Sequence, residues 1–82
     1  MITITYFGNL KDLLQCSEET IAWESGDTEA LIASLRERGA PWNEALAPKN
    51  IFRVVVNEAI CFTPVQVKEG DKVAFLPPVT GG

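Results

Sequence analysis

The chain contains no histidine. That removes the catalytic designs in which an imidazole activates a serine or cysteine, because histidine is the usual base beside such nucleophiles. Cysteine is scarce as well. Cys16 and Cys61 lie far apart and form no CxxC pair, so neither a zinc site nor a dithiol redox motif is indicated. They are expected to be plain core or near-surface thiols of a reducing compartment. Basic charge is in deficit: seven Lys and Arg stand against eleven Asp and Glu, for a formal charge of -4. A phosphate backbone rewards basic patches, so nucleic acid is not an expected partner and a basic protein surface suits better. No apolar run approaches the roughly 20 residues of a membrane helix, and the first residues lack the basic start and cleavage region of a signal peptide. A cytoplasmic location, away from the membrane, is the expectation.

Other constellations are missing too. Gly8, Gly26, Gly39 and Gly70 are isolated, so no phosphate-cradling loop is present. Glu18 and Glu19 read as a turn entering a strand, and Glu24, Glu29 and Glu37 are spread over predicted surface. They are expected to be solvated charge rather than an acid/base pair. No catalytic residue, metal ligand set or bound cofactor is indicated. The composition, 46% hydrophobic and 22% charged, is that of an ordinary globular protein. At 82 residues a single domain spanning 1–82 is expected, burying about 60% of the surface its unfolded chain exposes.

What is present is a dense run of elements. ITITYF, residues 2–7, alternates Ile2, Ile4 and Tyr6 against Thr3, Thr5 and Phe7 and predicts a first strand. GNLKDLLQC places Leu10, Leu13 and Leu14 at helical spacing, predicting a short helix capped near Asn9. TIAWE, residues 20–24, alternates again and predicts a second strand paired with the first. The strongest helix signal is DTEALIASLRERG, residues 27–39. Asp27 suits the N-cap, Gly39 the left-handed closing position, and Thr28, Leu31, Ile32 and Leu35 a stripe facing a sheet. PWNEAL predicts one more helical turn, with Pro41 opening it, Pro48 stopping it, and Trp42 and Leu46 folding back onto the core. IFRVVV, a turn at Asn57 and Glu58, AICF and KVAFLP are strand signals. Two strands, a helix, then two or three strands predict an α+β fold. It would be a mixed sheet of about five strands with one main helix on one face, the first and last strands central: the β-grasp, or ubiquitin-like, pattern.

The chain finishes FLPPVTGG. Pro77 and Pro78 each fix a backbone angle and favour an extended course, so residues 77–82 are expected to form a flexible tail projecting from the sheet. Glycine at both final positions lets backbone pass through a narrow channel and leaves the last carbonyl open to approach. Fully extended, residues 79–82 would reach on the order of 13 Å beyond the prolines. A terminal carboxylate is inert until activated, most simply as an acyl-adenylate made from ATP. Since the chain has no ATP loop, the activating enzyme would have to be a separate protein.

KEGDKVAFLPPVTGG, together with TEAL, PWNEAL and VVVNEAICF, resembles the small subunits of molybdopterin synthases, a family of ubiquitin-like sulfur carriers. The resemblance covers the whole chain in length and element order and is most specific in the tail. It implies that an adenylyltransferase of the ubiquitin-activating type joins AMP to Gly82, and that a sulfur donor protein replaces AMP to leave a thiocarboxylate. The tail would then enter the large synthase subunit, where two sulfurs convert cyclic pyranopterin monophosphate into the dithiolene of molybdopterin. By the same resemblance Gly81 provides clearance and Pro77, Pro78, Val79 and Thr80 line the tunnel. Phe7, Ile60 and Leu76 form an apolar docking face, Leu76 standing where the family often has an aromatic residue, and the assembly is a heterotetramer of two small and two large subunits. From the residues alone, Phe7 and Leu76 read equally well as ordinary core. Three other readings stay open: a sulfur carrier for thiamine or cysteine synthesis, a conjugation module joining Gly82 to a lysine, and an idle tail on a β-grasp domain.

Overall fold

The computed structural model describes residues 1–77. Five strands and three short helices follow one another as β1 (Ile2–Tyr6), α1 (Gly8–Leu14), β2 (Glu18–Ile21), α2 (Thr28–Arg36), α3 (Trp42–Ala45), β3 (Arg53–Val56), β4 (Ala59–Cys61) and β5 (Lys72–Leu76). The strands form one mixed sheet in the order β2-β1-β5-β3-β4. The β1–β5 pair is parallel and the other three pairs are antiparallel. First and last strands therefore lie side by side in the interior of the sheet, where they bury more side chains than the other strands, and the fold is a β-grasp.

Alternation decides which face is covered. Ile2, Ile4 and Tyr6 of β1 and Val73 and Phe75 of β5 are buried under the helices, each 1% exposed or less. Full burial of side chains of this size contributes about 1.5–3 kcal/mol apiece. Helix α2 supplies the opposing surface through Thr28, Leu31 and Leu35, three and four residues apart on one side of the helix. Asp27 caps it as the sequence predicts, its carboxylate accepting from the Ala30 amide at 2.8 Å. Thr28 is the one buried polar residue among those described, and it is satisfied: its amide donates to the Val65 carbonyl and its hydroxyl accepts from the Val65 amide. Helix α2 closes at Arg36, followed by a tighter turn in which Gly39 adopts φ 88°.

The parallel register brings Tyr6 opposite Phe75. Their rings stack at 5.8 Å, and the half-buried Trp42 of α3 meets Tyr6 edge-on at 5.4 Å. This is how the PWNEAL turn closes the core. At the β3–β4 turn Asn57 and Glu58 both take positive φ, 49° and 70°, the primed geometry that matches strand twist in a two-residue hairpin. Asn57 does more than turn: its side-chain amide donates to Asp71, and its side-chain oxygen accepts from the Lys72 amide. The hairpin is thereby fastened to the start of β5.

Three local expectations are corrected. Strand β2 covers Glu18–Ile21 rather than residues 20–24, because Ile21 already pairs with Ile2 and β1 offers no partner beyond it. Trp23 accordingly leaves the sheet and donates its indole N–H to the Val67 carbonyl at 3.1 Å. Glu18 and Glu19 are thus strand residues, not a turn. Helix α1 is capped at Phe7 with no side-chain cap bond, not near Asn9, and Leu13 is 53% exposed while Leu10 and Leu14 are buried. No helix among the described residues is long and apolar enough to cross a membrane.

Candidate functional site

The face of the sheet opposite the helices carries the sequence-predicted docking residues. Cross-strand partners share a face. Ile60 lies opposite Val55, Val55 opposite Ala74, and Arg53 opposite Leu76. By alternation from the buried Val73 and Phe75, the residues Ala74 and Leu76 point outward, and with them Val55, Ile60 and Arg53. Phe7 follows the buried Tyr6 and faces the same way. Its amide donates to the Phe75 carbonyl at 3.1 Å, which extends the β1–β5 pairing and sets Phe7 beside Leu76. The structure thus brings Phe7, Ile60 and Leu76 onto one open surface. Phe7 is 45% exposed, Ile60 is 53% exposed and Leu76 is half-buried. None of the three belongs to the core beneath the helices, so the ordinary-core reading of Phe7 and Leu76 falls away.

Sequence reasoning missed Val55, Ala74 and Phe62 on or beside this surface. Phe62, 82% exposed, follows directly on β4. Alternation within RVVV marks Val55 as one side of a strand, but which side needs the register. Phe62 was reachable from its i+2 spacing to Ile60.

Strands β1 and β5 run parallel and end together, so the open face stops where the chain turns into residues 77–82. Pro77 is placed there, half-buried beside Gly8. Gly8 has φ 60°, and a Cβ built on it would come within 2.6 Å of the Pro77 ring. The predicted tail residues Pro78, Val79, Thr80, Gly81 and Gly82 lie outside the described residues.

A second cluster sits on the helix side. Glu19 accepts the Tyr6 hydroxyl at 2.8 Å and both terminal nitrogens of Arg38, at 2.9 and 3.0 Å. The Arg38 guanidinium lies 4.5 Å from the Trp42 ring centre. Glu19 is therefore not the solvated charge expected of it. Burial opposes its ionisation, but the bonds from Arg38 and Tyr6 outweigh that and hold its carboxyl below the usual range. Burial and the adjacent carboxylate push the Tyr6 hydroxyl far above the ordinary tyrosine value. A phenol so hard to ionise, facing a carboxylate that already accepts three donors, is no acid/base pair at neutral pH. Cys16, close by, is pushed up by burial and by Glu19, the opposite of an activated thiol. Among the described residues no cluster of His, Cys, Asp and Glu could hold a metal ion.

The arrangement is an open, partly apolar sheet face with a strand end at its border. Solved structures of similar shape include the small archaeal modifier protein SAMP1 from Methanosarcina acetivorans and SAMP1 from Haloferax volcanii. Each has a TM-score of 0.73, at 18% and 16% identity, and the match covers 99% of this chain and 95% and 98% of theirs. Those likenesses concern the fold. In sequence, the chain is 30% identical to the molybdopterin synthase sulfur carrier subunit of Haemophilus influenzae and 29% identical to that of Escherichia coli, over the full length of both chains in each case. Residues 4–82 match the ThiS family, and the chain belongs to that family.

Proposed function

We propose that this chain is the sulfur-carrying small subunit of a molybdopterin synthase, working as one domain through residues 1–82 with Gly82 as its reacting end. The observation that carries the reading is the continuity of the open apolar face with the root of a PPVTGG tail: Phe7 and Leu76 lie side by side, and Pro77 follows at once. A partner that covers the face receives the tail at its border. The full-length likeness to two sulfur carrier subunits supports the same reading.

In this scheme the Gly82 carboxylate attacks the α-phosphate of ATP held by an adenylyltransferase, pyrophosphate leaves, and an acyl-adenylate forms. A sulfur nucleophile delivered by a donor protein displaces AMP and leaves a thiocarboxylate. The tail then enters the large synthase subunit, Pro77 to Thr80 lining its channel and Gly81 giving clearance, and the sulfur passes to cyclic pyranopterin monophosphate. Two such deliveries build the dithiolene. Phe7, Ile60 and Leu76 supply apolar docking area, and the chain contributes no catalytic group, metal or bound cofactor. ATP belongs to the activating partner, and the setting is the cytoplasm.

The test is the intact mass after incubation with the adenylyltransferase, ATP and a sulfur source. The expected result is a gain equal to one oxygen-to-sulfur exchange, localised to the C-terminal peptide. An unchanged mass with an active partner would sink the reading. Deletion of Gly82 is expected to abolish the exchange and leave the unfolding midpoint unaltered.

A further inference from the structure

We infer that Gly8 is a positioning residue for the tail: its missing side chain is the seat on which Pro77 rests, and that seat fixes the origin of residues 78–82 relative to the open face. The inference rests on the reading of Gly82 as the sulfur-bearing end.

Strands β1 and β5 are in parallel register with Tyr6 opposite Phe75, and the Phe7 amide still bonds to Phe75. Carrying that register two residues beyond Tyr6 and Phe75 sets Gly8 beside Pro77. A Cβ at position 8 would lie 2.6 Å from Cγ, 3.2 Å from Cδ and 3.7 Å from Cβ of Pro77. The first distance is far inside van der Waals contact. A proline ring is closed onto its own backbone and cannot swing aside as a free side chain does, so beyond a change of ring pucker relief has to come from moving the backbone at residue 77 or residue 8. Gly8 also holds φ 60°, a conformation that glycine enters at no steric cost, and this lets β1 turn directly into α1 beneath the ring. Position 8 is exposed at the surface, so packing in the core does not require the glycine. The positive φ favours glycine, and the approach of Pro77 leaves no room for a side chain. The seat lies one residue past Phe7 and Leu76, so the docking face and the tail share a fixed geometry at their junction. A partner that grips Phe7 and Leu76 meets residue 77 at a set position, and a displacement of about 1 Å at such a junction can cost up to about a hundredfold in the rate of the step it serves.

The test compares Gly8→Ala, Pro77→Ala and the double variant with the unmodified chain. Pro77→Ala removes Cγ and Cδ and leaves only the Cβ, for which 3.7 Å is an ordinary contact. Two readouts are taken: single-turnover sulfur transfer from the thiocarboxylate to cyclic pyranopterin monophosphate held by the large subunit, and the NMR shifts of Phe75 and Leu76. Gly8→Ala is expected to slow transfer about tenfold or more while its affinity for the large subunit stays within about twofold, and the double variant to recover most of the rate. The backbone strain of alanine at φ 60° remains in the double variant, so recovery isolates the clash with the ring. Pro77→Ala alone, which needs no strained backbone, is expected to slow transfer by less. The inference is overturned by Gly8→Ala transferring at the unmodified rate, by no recovery in the double variant, or, should Gly8→Ala not fold, by an unmodified rate in Pro77→Ala. If the unmodified chain accepts no sulfur, the carrier reading fails and the shifts decide alone. Displacement at Phe75 and Leu76 between Gly8→Ala and the unmodified chain that is absent between the double variant and Pro77→Ala supports the seat, and unchanged shifts refute it.

Discussion

The two faces of the sheet are made from the same strands, yet one is covered and the other is open. On the covered face Ile2, Ile4, Tyr6, Val73 and Phe75 are sealed beneath α2 and α3. On the open face Phe7, Val55, Ile60, Ala74 and Leu76 present apolar side chains to solvent in the same alternation. Apolar area out of water holds a fold together, whereas apolar area left in water is available to a partner. The step along β5 from Phe75 to Leu76 therefore crosses from the covered face to the open one. Substitutions at neighbouring residues test whether that division holds.

The largest expected effect is at Phe75. Its ring is fully buried between Tyr6 and Phe52. Phe75→Ala is expected to cost about 3–5 kcal/mol, read as a lower urea midpoint, through lost burial and the cavity left behind. Leu76→Ala, one residue on, is expected to cost about 1 kcal/mol because only part of that side chain is out of water. Equal costs at the two positions would erase the distinction between the faces.

Much of the covered face was legible in the sequence, for a physical reason. Alternation in ITITY and the spacing of Thr28, Leu31 and Leu35 report burial directly, since each records the period of its own element. Asp27 and the Asn57 turn were legible because their roles are local. Pairing was harder. The span of β2 depends on where β1 runs out, and the ion pair of Glu19 with Arg38 joins residues nineteen apart that only the folded helix brings together. On the open face, the same-side grouping of Phe7 and Leu76 follows from a parallel register that no local pattern encodes, and Gly8 reads as one more turn glycine until Pro77 is placed against it.

A smaller effect is expected at the polar cluster on the covered side. Arg38→Ala removes a two-pronged bond to Glu19 and a cation lying over Trp42. Since the pair is only partly shielded from water, the expected loss is about 1–2 kcal/mol at neutral pH. The pH profile gives the sign. The Glu19 carboxyl is held below its usual range in the fold, so its contribution is present above the unfolded carboxylate pKa and is lost as pH falls through the lowered one. Asp71, held low chiefly by the Asn57 amide and then by the Lys68 backbone N–H, acts in the same direction. Tyr6 is raised, so its contribution is present below the ordinary tyrosine pKa near 10 and is lost as pH climbs beyond it. Urea midpoints across the pH range are expected to fall on both flanks. Arg38→Ala should flatten the acid flank and Tyr6→Phe the alkaline one. A profile unmoved by either would separate the cluster from the stability of the covered face.

Below that lies the cap of α2. Asp27→Ala leaves the Ala30 amide without its partner at the helix start and is expected to cost about 1 kcal/mol. Asp27→Asn keeps an acceptor and is expected to restore most of the midpoint. Because α2 roofs only one side of the sheet, amide exchange is expected to rise in α2 and under it, at Ile4 and Phe75, more than in the β4 hairpin. Uniform acceleration would mean that the two faces unfold as one unit.

The smallest effect on stability is expected at Ile60, and it sharpens the comparison most. The residue is about half exposed on the short edge strand β4, opposite Val55, with no helix above it. Ile60→Ser is expected to shift stability by no more than about 0.5 kcal/mol, the usual range for a surface position. If the open face docks the large subunit, the same substitution is expected to weaken binding about tenfold, since a few apolar anchors carry most of an interface's energy. Phe7→Ser should follow the same pattern, and Leu31→Ala, on the covered side, the inverse one: a large loss of stability with the affinity of the surviving folded fraction unchanged. Titration calorimetry paired with urea midpoints reads both quantities on the same samples. A variant of Ile60 that lost stability and binding in proportion would place the open face among the structural parts of the protein.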